Sequence, residues 1–345
     1  MDSARMNRLV EYFLPADMGE KVEIEPIESG LINHTFKVDI GSSEYILQRI
    51  NTQVFPNPLG IQENINAVAS HLKKENYPRT VLSIVPTPSN ELLWKDVDDS
   101  VWRMFKYVPR SNHYHIVPST NHAFEAAKAL GEFHKYLSSF DAEGLVSPID
   151  GFLDFMNRKT QFDTALATAD ERLKKRAGEE IDFLEVNTSI LEEYQQLDEL
   201  LPKRVIHGDP KISNFLFGEG SNQVVCLIDW DTIMQGSILY DFGDMVRSFT
   251  NRKGESEVSS DATFDIELFK AIKEGYLVHQ KEKLSSLESN NLLLGAKTVI
   301  YVQAMRFLTD YLQGDTYFKT SYADQNLDRT RNQIQLLKEL LASEV

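Results

Sequence analysis

The chain has 345 residues, 42% of them hydrophobic and 26% charged, which is the make-up of an ordinary globular protein and a length that suits two lobes better than one. Its formal net charge of -16 argues against a nucleic-acid-binding face, which has to be basic, and against docking on an anionic membrane. The single cysteine, Cys226, can form no internal disulfide, no apolar run is long enough to cross a bilayer, and the first residues lack a secretory pattern, so a cytoplasmic protein is expected.

In chain order, Ser3 to Leu14 reads as a short amphipathic helix, followed by strands over Val22–Ile27, Thr35–Ile40 and Tyr45–Ile50. Between the first two strands lies Glu28-Ser29-Gly30-Leu31-Ile32-Asn33-His34, where a Gly and an Asn mark a tight turn. Such a turn can cradle phosphates with its N–H groups or simply close a hairpin. Pro58 to Lys74 has helical spacing, with Ile61, Ile65, Val68, Ala69 and Leu72 on one face; its Glu63 either pairs with a basic strand residue or faces water. Val81–Val85 and Val101–Val108 read as further strands, so residues 1–107 form a β-rich lobe with one main helix.

The remainder, 108–345, reads as mostly helical. Ala123, Ala127, Leu130, His134 and Leu137 share a face, on which His134 is expected to be a packing histidine. Gly151 to about Leu201 is helical and charged, and further helices are expected at about Phe264–Gln280, Asn290–Gln313 and Asn326–Leu341. In the second of these, Leu293, Ala296, Ile300, Ala304, Phe307 and Tyr311 form an apolar stripe beside a polar strip of Gln303, Arg306 and Asp310.

The chemistry concentrates between Val205 and Asp231. There His207-Gly208-Asp209 is followed by Lys211 and Asn214, then by a turn and the apolar run that ends at Asp229. Phosphoryl transfer needs a carboxylate to accept the proton of the attacking hydroxyl, and an amide and a second carboxylate to hold magnesium. Those groups occur here in that order and at kinase-like offsets, as His-Gly-Asp and then Asn five residues past the Asp. Asp241-Phe242-Gly243 looks like the magnesium-binding triplet of protein kinases, but Asp229 already holds that place after the hairpin. Asp241 and Asp244 are therefore expected to cap a helix and brace the catalytic loop. A Walker A loop, a G-x-G-x-x-G fingerprint, an H-E-x-x-H helix, a C-x-x-C pair and a G-x-S-x-G elbow are all missing from the sequence.

The stretches His207–Asn214 and Ile228–Asp229 resemble the aminoglycoside phosphotransferase-like kinases, which share the protein-kinase fold and phosphorylate small molecules. Gly30–Phe36, Tyr45–Asn51, Ile228–Arg247, Met305–Phe318 and Asn326–Leu336 are similar, more narrowly, to the bacterial N-acetylhexosamine 1-kinases. The resemblance implies an α+β, bilobal protein-kinase-like fold that uses ATP and Mg2+ to phosphorylate the anomeric hydroxyl of N-acetylglucosamine or N-acetylgalactosamine. By the same resemblance Asp209 is the base and Lys211 touches the transferring phosphoryl group, while Asn214 and Asp229 hold the metal. Gly30 and Asn33 belong to the nucleotide loop, backbone groups from Phe105 through Tyr107 to Val108 meet the adenine, and Arg306 and Tyr317 contact the sugar. Gln48 stands where most kinases carry a phosphate-binding Lys, so either Gln48 replaces it or Arg49 reaches round; Leu31 replaces a His near the sugar in a relative. An aminoglycoside kinase, a kinase for choline or another amino alcohol, and a pseudokinase that binds without turnover remain as alternatives.

Overall fold

The computed structural model describes residues 3–15, 19, 21–27, 32–257 and 263–343. In chain order the elements are α1 (Ser3–Phe13), β1 (Val22–Ile27), β2 (His34–Ile40), β3 (Ser43–Ile50), α2 (Pro58–Lys74), β4 (Ile84–Val85), β5 (Trp94–Lys95), β6 (Val101–Lys106), β7 (Ser111–Asn112), α3 (Thr120–Tyr136), α4 (Phe155–Thr168), α5 (Glu171–Arg176), α6 (Gly178–Val186), α7 (Ser189–Asp198), β8 (Arg204–Ile206), β9 (Phe215–Gly218), β10 (Val224–Leu227), β11 (Met234–Gly236), α8 (Ile238–Thr250), α9 (Ile266–Gln280), α10 (Ser286–Asn290), α11 (Leu292–Leu312) and α12 (Gln325–Ala342). Strands dominate the first part of the chain and helices the rest, the mixed α+β arrangement expected from the sequence. The contacts divide the chain into two compact units. One comprises Met1–Asn112, Ser139–Asp150 and Leu216–Gln235, and the other His113–Ser138, Gly151–Phe215 and Gly236–Val345.

In the first unit an antiparallel sheet runs in the order β1-β2-β3-β6-β4, with β5 also paired to β6. Met6, Leu9, Val10 and Phe13 recur at helical spacing along α1 and pack with Val38, Leu47, Trp102 and Met104 of the sheet. Side chains alternate across a strand, so Gln48 lies on the opposite face from Leu47, and its register partner is Arg103. Helix α2 begins where Asn57 accepts a hydrogen bond from the Gly60 N–H (3.0 Å) and Pro58 fixes the first turn. Two strands are shorter than the sequence suggested. Val81–Val85 contracts to β4, and Val101–Val108 stops at Lys106, ahead of Pro109 and the left-handed Arg110 (φ 52°).

In the second unit, α3 packs along α9, and α11 packs against α4, α7, α8 and α12. Helix α11 is buried almost all round rather than amphipathic; only Leu293, Lys297, Gln303 and Arg306 escape full burial. Its crossing with α8 is very close. A Cβ on Gly243 would lie 2.5 Å from the Gly295 carbonyl oxygen, and one on Gly295 would lie 2.6 Å from that of Leu239. Helix α8 is capped by Ser237, whose hydroxyl accepts from the Leu239 N–H (3.2 Å). Asp241 and Asp244 therefore sit inside the helix and do not cap it, because a cap must precede the first turn.

Candidate active site

Strand β8 delivers the chain to His207, and Gly208 then turns it with φ +81°, a left-handed conformation that glycine adopts without cost. The turn is anchored from below by Asp241 of α8, which is fully buried. Its carboxylate accepts the N–H groups of His207 (2.6 Å) and Gly208 (2.8 Å) and lies 2.9 Å from His134 Nε2. The other ring nitrogen of His134 meets the Tyr276 hydroxyl at 2.8 Å. Both sequence readings hold here: His134 is a satisfied packing histidine, and Asp241 braces the loop.

Above this brace stands the half-buried Asp209. Its Oδ2 accepts from Lys211 Nζ (2.7 Å) and Asn214 Nδ2 (3.2 Å), and its backbone carbonyl also accepts from Asn214 Nδ2 (2.8 Å). With its amide nitrogen used in this way, Asn214 has its side-chain oxygen to offer a cation. One short segment thus gathers the three residues that the sequence singled out.

Asp229 lies in the first unit, in the turn after β10. It is exposed and left-handed (φ 62°), a conformation that costs a non-glycine residue about 1–3 kcal/mol and that clusters at functional sites. Buried Trp230 and Asp231 follow it in a single 3₁₀ turn. Asp231 accepts from Asn33 Nδ2 (2.7 Å) and from Arg103 (2.8 Å), and Asn33 Oδ1 in turn accepts from the Asn51 N–H (3.0 Å). Gly30 and Leu31 lie outside the described residues. Among the described residues no group of three or more His, Cys, Asp or Glu side chains is placed to hold a metal ion. The donors of Asn214 and Asp229 are nonetheless oxygens, which fits Mg2+, an ion that keeps waters and phosphate oxygens in its shell.

The sequence offered Gln48 or Arg49 in place of the phosphate-binding lysine, and the strand places them on opposite faces. Arg49 shares the Leu47 face of β3 and cannot reach the face that carries Gln48. A buried cation on that face is Arg103 of β6, directly opposite Gln48; Lys37 of β2 shares the face but pairs with Asp39 (2.9 Å) and Glu44 (2.7 Å). Glu63 of α2 is exposed, and the polar residues that turn inward are its neighbours Gln62 and Asn64. The clue in the sequence was Arg103 itself, a lone charge inside the apolar strand Val101–Lys106. Of the residues assigned to the adenine, Phe105 is buried in the sheet, Tyr107 donates its N–H to Glu44 O (3.0 Å), and Val108 O accepts from Ser111 Oγ (2.7 Å). A hollow of about 700 Å³ opens beside Tyr107 and Val108, but its walls do not include Gln48, Arg103 or Asp229.

Further along the second unit, Arg306 of α11 projects over the rings of Tyr317 (5.9 Å) and Phe318 (5.5 Å) and donates to Gln303 Oε1 (3.1 Å). Asp310, expected on the same polar strip, is instead buried. It accepts the N–H groups of Thr316 (2.9 Å), Tyr317 (2.7 Å) and Phe318 (2.9 Å) and the side chain of Asn326 (2.9 Å). Its role is to fold the loop after α11. Arg158 of α4, not singled out by the sequence, joins this cluster. Burial and the positive charge of Arg306 hold its guanidinium below the usual range, and Tyr317, Tyr240 and Asp154 oppose them. Burial raises the Tyr240 hydroxyl well above its usual value, with Asp244 and Asp209 adding and Arg306 opposing. Cys226 is buried, and burial pushes its thiol up to about 12, so it is an inert core residue.

Comparison with known proteins agrees with this geometry. The chain resembles an aminoglycoside phosphotransferase from Alicyclobacillus acidocaldarius (16% identity, 93% of this chain and 92% of that one, TM-score 0.63). It also resembles a choline kinase from Cryptosporidium parvum (16%, 99% and 97%, TM-score 0.60) and a spectinomycin phosphotransferase solved with ADP and its antibiotic (12%, 98% and 94%, TM-score 0.59). At these identities the likeness shows a shared kinase-like fold. The sequence model of the phosphotransferase enzyme family matches residues 23–276, most of the chain, and to that family this protein belongs.

Proposed function

We propose that this protein is an ATP- and Mg2+-dependent kinase that phosphorylates the anomeric hydroxyl of an N-acetylhexosamine. The observation that carries the kinase reading is the braced segment that holds Asp209, Lys211 and Asn214 within hydrogen-bond reach of one another. In this reading Asp209 takes the proton of the acceptor hydroxyl as its oxygen bonds to the terminal phosphorus, and the bond to the leaving nucleotide diphosphate breaks. Lys211 and Asn214 hold the carboxylate in place. Mg2+, with Asn214 and Asp229 as its protein ligands, would neutralise the phosphate charge. Support for nucleotide use comes from the ADP complex of the spectinomycin enzyme. To meet the adenine we assign the Val108 N–H, which makes no hydrogen bond among the described residues.

Electrostatics favour a neutral acceptor over a cationic one. An aminoglycoside or choline calls for carboxylates, yet Asp310 is consumed by backbone N–H groups. What the cluster presents is Arg306, Arg158, Tyr317 and Tyr240, and among the described residues neither arginine forms an ion pair. Hydrogen-bond donors of this kind suit ring hydroxyls and an acetamido carbonyl. The fold alone does not choose between substrates. The test is ADP release from purified protein with Mg-ATP, screened over N-acetylhexosamines, other sugars, choline, aminopropanol and aminoglycosides. Turnover of N-acetylglucosamine or N-acetylgalactosamine to the 1-phosphate is expected; turnover confined to a cationic acceptor would overturn the sugar reading and leave the kinase reading standing.

A further inference from the structure

Kinases of this reaction type usually pair a lysine on the third strand with a glutamate on the following helix. Here both places in the first unit are neutral amides, Gln48 on β3 and Gln62 on α2. Between them lies Arg103, only 2% exposed. Its Nε donates to Gln48 Oε1 (3.0 Å), one terminal nitrogen donates to Gln62 Oε1 (3.4 Å), and the guanidinium embraces Asp231 at 2.5 and 2.8 Å. Gln48 passes the chain of bonds on to the Thr35 hydroxyl of β2 (3.0 Å).

A buried ion pair is seldom a net stabiliser, because the cost of desolvating both charges rivals their attraction. Retaining one therefore calls for a second role, and the partners of Asp231 indicate it. Asp231 lies two residues after Asp229, in the same tight turn. Its Oδ2 also accepts from Asn33, the residue just before β2. One carboxylate thus ties the strained Asp229 turn to the entry of β2, and Arg103 fixes that carboxylate. At 2% exposure Arg103 has no surface with which to grip a phosphate itself.

We propose that Arg103 is a positioning residue for the nucleotide's phosphates: through Asp231 it fixes the Asp229 turn and, through Asn33, the start of β2. This rests on the nucleotide-binding reading above. It moves the cation of the lysine–glutamate pair from the third strand to its neighbour, and it changes the cation's task from touching phosphate to shaping the backbone that does.

The test compares calorimetric binding of adenosine with that of Mg-ADP, at a temperature well below each protein's melting point. Arg103→Met leaves Asp231 buried without its cation, so two variants that keep the proposal testable if it unfolds accompany it. The double variant Arg103→Gln/Asp231→Asn removes both charges together, and Asn33→Ala touches only a half-buried amide. In the folded variants Mg-ADP binding should weaken about ten- to a hundredfold, the worth of a charge-assisted hydrogen bond, with adenosine binding unchanged; Asn33→Ala should show the same pattern at smaller amplitude. Unchanged Mg-ADP binding, or equal loss for adenosine and Mg-ADP, would show that the pair is only a packing device. Failure of the wild type to bind Mg-ADP would instead overturn the functional reading itself.

Discussion

Removing the Asp241 carboxylate separates a brace from a metal ligand. Asp241→Ala would strip acceptors from the buried N–H groups of His207 and Gly208 and from His134 Nε2. A buried donor left unsatisfied costs about 1–3 kcal/mol. The losses overlap because the turn can relax, so a total of about 3–6 kcal/mol is expected. In a domain of this size each kcal/mol lowers Tm by roughly 2–4 °C, which gives a fall on the order of 10 °C in a thermal melt. Well below that temperature the variant should still bind Mg-ADP with an affinity close to wild type, whereas Asp229→Ala should lose the magnesium-dependent part of binding. A variant with an unchanged Tm and no magnesium-dependent binding would refute this reasoning, since Asp241 would then be the ligand and the turn at Asp229 a bystander.

Three other outcomes are expected. Asp209→Asn should keep its fold and Mg-ADP affinity and lose about 10²–10⁴-fold in kcat, measured by coupled ADP release, because it removes the proton acceptor. Arg306→Ala should raise the acceptor KM about ten- to a hundredfold, the worth of a charged hydrogen bond of about 1.5–3 kcal/mol, with the nucleotide KM unmoved. The third concerns acid stability. Burial pushes the Glu288 carboxyl up, but the bidentate Arg204 (2.7 and 2.9 Å) and the Ser285 cap outweigh it and hold the group below its ordinary value. Its stabilisation is therefore complete above the usual glutamate range and is lost as pH falls through and below about 4.3. Melts of wild type and Glu288→Gln should converge as pH drops from 6 to about 3; a gap that stays constant would exclude the linkage.

What could be read from the sequence was whatever depends on neighbours along the chain. The limits of β1 and α2 matched the structure, and Asp209, Lys211 and Asn214, singled out by their spacing, lie together in it. Asp241 braces the turn, as its place in the sequence suggested, by accepting the N–H groups of His207 and Gly208. What the sequence left open was the choice between adjacent polar residues. Glu63 and Gln62 differ by about 100° around a helix and Arg49 and Gln48 by a strand face, and hydrophobic pattern alone does not say which turns inward. Long-range pairing decided both, since Arg103 meets Gln48 only through the β3–β6 register. Asp310 was misplaced for a related reason. A carboxylate on a helix looks solvated until the loop after it folds back and offers three N–H groups.

The glycine contact between α8 and α11 bears on how this protein could change its substrate. With Gly243 and Gly295 touching backbone to backbone, the helix that braces the catalytic turn and the helix that carries Arg306 have no side-chain layer between them to yield or thicken. Small shifts that retune many binding sites are closed to this pair. On the function proposed above, new acceptor preferences would have to arise at side chains such as Arg306, Arg158 and Tyr317, while the backbone beneath them stays as it is. A library confined to those three positions should therefore yield altered specificity with near-native melting temperatures, and one that places even alanine at either glycine should yield mostly unfolded protein.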